Sequence, residues 1–91
     1  MTEAVIDNRA ENRFELTESG ATAFADYTRR NGVIIIPHVE SPHALRGKGT
    51  AGRLMEGVVA HARAEGAKIV PICSYAAAWL ERHPEHQDLL A

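Results

Sequence analysis

The N-terminal part of the chain alternates between apolar and polar positions, which is the pattern of β-strands. Phe14 and Leu16 alternate with charged and hydroxyl side chains, and this period of two predicts a strand with one buried face. A shorter run around Val5 and Ile6 predicts a strand before it, and residues 21–29 alternate more weakly after it. We expect these segments to be neighbouring strands.

Turn signals separate these strands. Residues 18–20, Glu-Ser-Gly, predict one turn, and residues 31–32, Asn-Gly, predict a type I′ hairpin turn because both tolerate a positive φ angle. Residues 33–36 are Val-Ile-Ile-Ile, and such a continuous β-branched run predicts a strand buried on both faces. We therefore expect an antiparallel meander over residues 4–39.

From Thr50 to Glu65 the apolar period is that of a helix. One stripe collects the apolar positions Ala51, Leu54, Met55, Val58, Val59 and Ala62. Gly66 is placed to end this helix, because glycine readily adopts the left-handed conformation of a C-terminal cap. Residues 68–73 predict another strand, so strand, helix and strand should form a right-handed crossover between parallel strands.

The C-terminal segment is expected to add a short helix. Ser74 can cap a helix that runs from Tyr75 to about Arg82, and Pro84 prevents this helix from continuing. The two leucines at 89–90 are expected to dock the tail against the domain.

Composition and charge narrow the function classes. The 91 residues suffice for one domain, spanning 1–91, without a second core. A net charge of −2 gives no general attraction to nucleic acid or an anionic membrane, so any bound anion needs a local site. The single cysteine, Cys73, cannot form an intrachain disulfide, and no signal peptide or membrane-spanning apolar stretch is visible. We therefore expect a cytoplasmic protein.

The most specific chemistry lies in residues 45–52, Leu-Arg-Gly-Lys-Gly-Thr-Ala-Gly, between a predicted strand and the start of the long helix. Backbone N–H groups at a helix start have no intrahelical partner, and the helix dipole adds positive charge there. Gly47 and Gly49 allow a ligand to approach closely, and Arg46 and Lys48 add positive charge. The segment predicts a phosphate or pyrophosphate site, the alternative being an ordinary glycine-rich connection with solvated basic residues.

Two familiar phosphate-binding motifs fit this segment poorly. The P-loop needs a longer spacing and a Lys-Ser or Lys-Thr pair after its second glycine. Residues 47–52 match the G-x-G-x-x-G fingerprint of dinucleotide-binding domains, but that fingerprint normally follows the first strand of a parallel sheet. An antiparallel meander is expected here, so a nucleotide-phosphate-binding interaction domain is the weaker interpretation.

Residues 46–51, Arg-Gly-Lys-Gly-Thr-Ala, resemble the Q/R-x-x-G-x-G/A signature of the GNAT acetyltransferase superfamily. In that family the segment follows the fourth strand and binds the coenzyme A pyrophosphate through backbone amides. Blocks at 37–42, 71–75 and 82–85 extend the resemblance over nearly the whole chain, which looks like the compact YjdJ-type subfamily. Two departures are Thr-Ala at 50–51, where Ile-Gly is common, and a length too short for the two early helices and extra C-terminal strands of full-size members.

The resemblance implies an α/β (α+β) fold with a mixed, mostly antiparallel sheet, one βαβ crossover and a short C-terminal helix. We expect the two parallel strands to splay and leave a slot for the pantetheine arm of acetyl-CoA or coenzyme A. The acceptor would be an unidentified amine, on a small molecule or a protein, with neither nucleic acid nor a membrane as partner. The residues implied to bind the cofactor are Val39, Arg46, Gly47, Lys48, Gly49, Thr50, Ala51, Cys73 and Tyr75.

Four residues have candidate roles in the transfer chemistry. Glu40 closes the buried strand and His38 shares its strand face, so either could be the base for the amine or simply a solvated side chain. Cys73 ends the parallel strand before a helix start, where a thiolate is favoured, and the resemblance implies a cysteine there near the acetyl thioester. Cys73 could accept the acetyl group, be a polar neighbour of the thioester, or be a buried structural cysteine. Tyr75 could donate a proton to the leaving sulfur or pack against the core.

No metal site is expected, because Arg82, His83 and His86 lack the paired spacing of metal ligands with Cys73. The function implied by the resemblance is acetyl transfer from acetyl-CoA to an amine. A non-catalytic acyl-CoA-binding module is the alternative from a different functional class.

Overall fold

Five strands and two α-helices organise the computed structural model, which describes residues 4–91. The elements, in chain order, are β1 (Ile6–Asn8), β2 (Arg13–Glu18), β3 (Ala21–Arg30), β4 (Val33–Glu40), α1 (Thr50–Glu65), β5 (Lys68–Pro71) and α2 (Ser74–Glu81). Two 3₁₀ segments, His43–Leu45 and Pro84–Leu89, follow β4 and α2 respectively. The first three residues of the predicted 1–91 domain lie outside the described residues.

The five strands form one sheet in the order of the chain. β1 to β4 pair antiparallel, which confirms the predicted meander. β4 pairs in parallel with β5, from Val33↔Lys68 to Ile36↔Pro71. Helix α1 joins these two strands, so the predicted strand–helix–strand crossover and the mixed, mostly antiparallel sheet are confirmed.

The predicted hairpin turn between β3 and β4 is confirmed. Asn31 and Gly32 have φ angles of 52° and 77°, the two consecutive positive values of a type I′ turn. Ser19 and Gly20, between β2 and β3, repeat this arrangement with φ angles of 51° and 77°. Both turns fix the register of the strands that they join, and the register decides which alternate side chains of each strand face the core.

One face of the sheet carries the core, and α1 covers it with the predicted apolar stripe. Its largest sheet side chains, all fully buried, are Phe14, Leu16, Ile34, Ile36 and Ile69. On the opposite face, no described side chain is buried. Val33 and Ile35 lie there and are only half-buried, so the prediction of burial on both faces was wrong. The reason is that the described helices all pack against one face.

Helix α1 has the predicted bounds, Thr50–Glu65. Gly49 precedes it in the left-handed conformation, and Gly66 ends it with a φ angle of 70°. The N–H groups of Gly66 and Ala67 donate to carbonyls of the last turn, which satisfies acceptors that the helix ladder leaves free. Glycine adopts this left-handed conformation without strain from a Cβ, so Gly66 fixes the end of the helix.

The chain between β5 and α2 differs from the prediction. β5 ends at Pro71 and not at Cys73, because the N–H groups of Ile72 and Cys73 both donate to the carbonyl of Ile36 and the ladder stops there. Cys73, not Ser74, is the residue that precedes α2, and no side chain in the described part of the chain caps the helix. Ser74 is the first helical residue, so α2 starts one residue before the predicted position.

The C-terminal tail docks as predicted. Leu89 is buried in the core, and Leu90 forms a parallel bridge with Ile69 of β5. The N–H of Ala91 donates to the carbonyl of Ile69 at 3.0 Å. The tail thus covers part of the outer edge of β5. Between residues 4 and 91, no helix is long and apolar enough to cross a membrane.

Candidate functional site

The pairing of the two parallel strands ends with Ile36↔Pro71, beyond which only the N–H groups of Ile72 and Cys73 still bond to Ile36. β4 continues along β3 as far as Glu40, whereas the chain leaves β5 and turns into α2. The edge of β4 that pairs with β5 is therefore open over its last residues. This opening lies directly before the glycine-containing segment that leads into α1.

A bulge in β4 sets which backbone groups face the opening. Between the strand pair that contains Ile35 and the pair that contains His38, β4 has one more residue than β3, which is a β-bulge. At the bulge, Ile36 turns its carbonyl towards the chain that follows β5 and accepts two N–H groups from it. Beyond the bulge the alternation is reversed, so His38 and Glu40 pair with β3 while the N–H and C=O of Val39 face the open edge.

The predicted phosphate loop has a conformation suited to an anion. Gly47 and Gly49 have φ angles of 78° and 77°, a region that glycine adopts without strain. The N–H of Arg53 donates to the carbonyl of Gly49, so the N–H groups of residues 50–52 have no intrahelical partner. These donors lie at the positive end of the α1 dipole.

Two adjoining pockets, of about 410 Å³ and about 200 Å³, form a groove between this loop and the open strand edge. The residues that line both are Ser41, Arg46, Ala51 and Tyr75. The larger pocket adds the strand-end residues His38, Val39 and Glu40. The smaller pocket adds the loop residues Gly47, Gly49 and Thr50. Of the described residues predicted for this site, Lys48 and Cys73 line neither pocket.

A buried hydroxyl in the groove suits a ligand with polar groups. Ser41 lines both pockets, and its Oγ is buried without a hydrogen-bond partner among residues 4–91. Leaving such a hydroxyl unpaired costs about 1–3 kcal/mol. Coenzyme A carries phosphates and amides along its length, so the groove fits this class of ligand. Sequence reasoning missed Ser41, because serine before proline signals only a loop.

The charge around the loop comes from Arg46 and Lys48. Both residues are exposed, and no ion pair within residues 4–91 involves either of them. Arg53 also lies beside the loop, but its guanidinium pairs with Glu18. Two uncompensated cations therefore flank the free N–H groups, while the third cation is neutralised locally.

His38 and Glu40 form a pair on the face of the sheet opposite the core. His38 Nε2 lies 3.0 Å from Glu40 Oε1, and their side chains are 51% and 55% exposed. Val39 points the other way and packs against the core. The ring of Phe24 flanks the pair, with its centroid 6.2 Å from that of His38. The expectation that His38 and Glu40 share a strand face is confirmed, and a molecule can reach them from the uncovered face.

Tyr75 and Cys73 lie at the start of α2. Partial burial raises the pKa of Tyr75 above its ordinary value, and the positive charge of Arg82 offsets part of the rise. The Tyr75 hydroxyl therefore stays protonated at neutral pH and can donate a hydrogen bond. Cys73 is a free thiol, half-buried against the core. Across residues 4–91, no three His, Cys, Asp or Glu side chains are grouped so as to hold a metal ion.

Known proteins share both the sequence pattern and the fold. The sequence model of the protein family described as GCN5-related N-acetyl-transferase matches residues 13–89 of this chain. An NMR solution structure of a GCN5-like candidate N-acetyltransferase from Staphylococcus aureus matches with a TM-score of 0.69 and 29% sequence identity. That match covers 99% of this chain and 89% of the other. No curated protein matches the chain.

These two similarities agree with the site. The family pattern spans β2 to β4, the glycine loop, α1, β5 and α2, and it includes every residue that lines the groove. The YjdJ-type subfamily stays a prediction. Because the match extends over most of the residues, the chain belongs to the GCN5-related N-acetyltransferase family.

Proposed function

We propose that the protein transfers an acetyl group from acetyl-CoA to an amine, with the coenzyme held in the groove between β4 and α1. The observation that carries the proposal is the glycine loop, whose free N–H groups lie at the end of that groove. A pyrophosphate suits this position because backbone donors and the helix dipole are already oriented towards an anion. Arg46 and Lys48 add uncompensated positive charge beside it.

The open edge of β4 offers a second point of attachment. The N–H and C=O of Val39 would pair with an amide-bearing arm as they would with a neighbouring strand. Ser41 lies between this edge and the loop, where its unpaired hydroxyl could bond to the same arm. In this arrangement residues 47–51 hold the pyrophosphate, and Val39, Tyr75 and Cys73 lie towards the reactive end.

When bound, acetyl-CoA supplies the acetyl group as a reactive thioester. The side chains of the protein then have two tasks, to take a proton from the amine and to provide one for the sulfur. The His38–Glu40 pair suits the first task, because it lies at the larger pocket and is open to an acceptor. Tyr75 suits the second, because it lines both pockets and its phenol carries a proton at neutral pH.

Cys73 has two roles consistent with its position. As a nucleophile, its sulfur would bond to the acetyl carbon while the bond from that carbon to the coenzyme sulfur breaks. The acetyl group would then pass to the amine, and the Cys73 thiol would be restored. As a polar neighbour, Cys73 would only contact the thioester. Since Cys73 lines neither pocket, we favour direct transfer aided by the His38–Glu40 pair.

A non-catalytic acyl-CoA-binding module is the second candidate. The exposure of His38 and Glu40 favours it, because transfer sites usually exclude water around the reacting groups.

For either function we propose the cytoplasm as the compartment, since a reducing environment keeps the free thiol of Cys73 intact.

An assay of acetyl-CoA consumption separates these functions. Polyamines, free amino acids and lysine-containing peptides are offered as amines, and release of the coenzyme thiol is measured for the wild type and Glu40→Gln. Thiol release that depends on the amine and falls in the variant supports the enzyme. Saturable coenzyme A binding without thiol release from any amine identifies the binding module. Equal affinity for ATP and coenzyme A contradicts both and favours a general nucleotide-phosphate site.

A further inference from the structure

A compact network ties the phosphate loop to the rest of the domain. Arg53 Nε donates to Glu18 Oε2 at 2.7 Å, and Arg53 Nη2 donates to Glu18 Oε1 at 2.7 Å. The same Nη2 donates to the backbone carbonyl of Lys48 at 2.8 Å. Thr50 Oγ1 completes the network by donating to Glu18 Oε1 at 2.7 Å. We call these four residues the Glu18 clamp.

The clamp fixes one peptide plane of the loop. The Lys48 carbonyl and the Gly49 N–H belong to the same planar trans peptide, so they point in opposite directions. Holding the carbonyl against Arg53 therefore turns the Gly49 N–H away from Arg53. Without such a contact this peptide could rotate more easily, because Gly49 on its C-terminal side has no Cβ to restrict φ.

The charge of Arg53 is compensated within the clamp. Hydrogen bonds from Arg53 and then from Thr50 lower the pKa of Glu18 to about 2, so this carboxylate is ionised at neutral pH. A guanidinium and an ionised carboxylate in a bidentate pair have a net charge of zero, so together they attract a third charged group only weakly. Arg53 thus differs from Arg46 and Lys48, which form no ion pair among the described residues 4–91.

We infer that Arg53 is a positioning residue for the acetyl-CoA phosphates, which it orients through the Lys48–Gly49 peptide while Glu18 holds it in place. This inference rests on the proposed function, since it assumes that the coenzyme occupies the loop. Fork geometry matters for this role, so a lysine at the same position cannot replace the arginine.

Helix α1 provides a matched control. Arg63 pairs with Asp88 through two hydrogen bonds, from Nη1 at 2.8 Å and from Nη2 at 3.2 Å. Its side chain is 47% exposed, against 43% for Arg53. Arg63→Met therefore removes the same charge and a similar ion pair from the same helix, without touching the loop.

The test measures coenzyme A affinity by calorimetry, with thermal midpoints and amide hydrogen exchange of the free proteins. Arg53→Met should raise the dissociation constant about tenfold, the effect expected for one misdirected hydrogen bond to a charged group. Arg53→Lys should show a similar loss of affinity although it keeps the charge. Arg63→Met should change the dissociation constant less than about twofold. The amide of Lys48, which donates to the carbonyl of Leu45 in the loop, should exchange faster in both Arg53 variants than in the Arg63 variant.

Each contrary result has a distinct meaning. Wild-type protein that does not bind coenzyme A contradicts the proposed function, and the positioning role falls with it. Wild-type binding with equal losses in Arg53→Met and Arg63→Met overturns the clamp alone. Suppose that Arg53→Lys binds coenzyme A with full affinity, and that the affinity of Arg53→Met depends less on salt than that of the wild type. Arg53 would then act through its charge on the phosphate. Should Arg53→Met fold poorly, the more conservative Arg53→Lys decides between orientation and charge.

Discussion

Replacing Gly49 by alanine separates the backbone strain of the phosphate loop from its role in binding. Gly49 has a φ angle of 77°, and a Cβ added there would lie 3.1 Å from Arg53 Nη1. Gly32, in the turn between β3 and β4, has the same φ angle, and no other described residue comes within 4 Å of an added Cβ. Gly32→Ala therefore carries the same strain and leaves the groove unchanged.

The positive φ angle at both positions determines the expected loss of stability. A left-handed alanine costs about 1–2 kcal/mol. For a domain of this size that cost lowers the thermal midpoint by about 4–16 °C. Both variants should show it, and Gly49→Ala should lose slightly more because the guanidinium of Arg53 must move.

Affinity should distinguish the two variants. Gly49→Ala places a methyl group beside the free N–H groups and disturbs Arg53, so its dissociation constant for coenzyme A should rise more than about tenfold. Gly32→Ala should bind with wild-type affinity in the same calorimetric titration, at a temperature where both proteins are folded. Equal affinities in the two variants would refute the assignment of this loop to the pyrophosphate.

Three further changes test other parts of the account. Arg46→Ala should weaken coenzyme A binding by up to about a hundredfold without abolishing it, because backbone N–H groups provide the main contacts; complete loss in a folded variant, measured by calorimetry, contradicts this ranking. Cys73→Ala should leave affinity unchanged, and acetyl-CoA should slow alkylation of Cys73 in the wild type, as followed by mass spectrometry; equal alkylation rates with and without the cofactor would show that Cys73 is structural. Gly57→Ala should lower the thermal midpoint, because its Cβ would overlap the Val5 side chain and overpacking costs about 1–3 kcal/mol. Gly52→Ala is its control, since a Cβ there makes only an ordinary contact 3.7 Å from Trp79 Nε1.

Features that depend on local residue types were predictable from the sequence. The stripe of apolar residues and Gly66 gave both ends of α1, and Asn31-Gly32 gave the hairpin turn. Gly47 and Gly49 indicated the anion loop because few other residues adopt their φ angles without strain. In each case the required conformation restricts the choice of residue, so the residue reveals the conformation.

Features that depend on distant partners could not be predicted in this way. Glu18 and Arg53 are 35 positions apart, and nothing in either local pattern marks them as a pair. The bulge that turns Val39 towards the open edge is set by strand register, which the run of isoleucines does not encode. The start of α2 was misplaced because two N–H groups converge on the carbonyl of Ile36, far away in the sequence.

The central claim is that acetyl-CoA occupies the groove from the glycine loop to the open end of β4. The most direct measurement is a titration of the isotope-labelled protein with coenzyme A, followed by amide chemical shifts in NMR spectra. If the coenzyme binds there, the amides of Gly47, Gly49, Ala51 and Val39 shift saturably, and Gly32 at the far end of β4 is unaffected. Absence of saturable shifts, or shifts centred on Gly32 and the opposite end of the sheet, would contradict it.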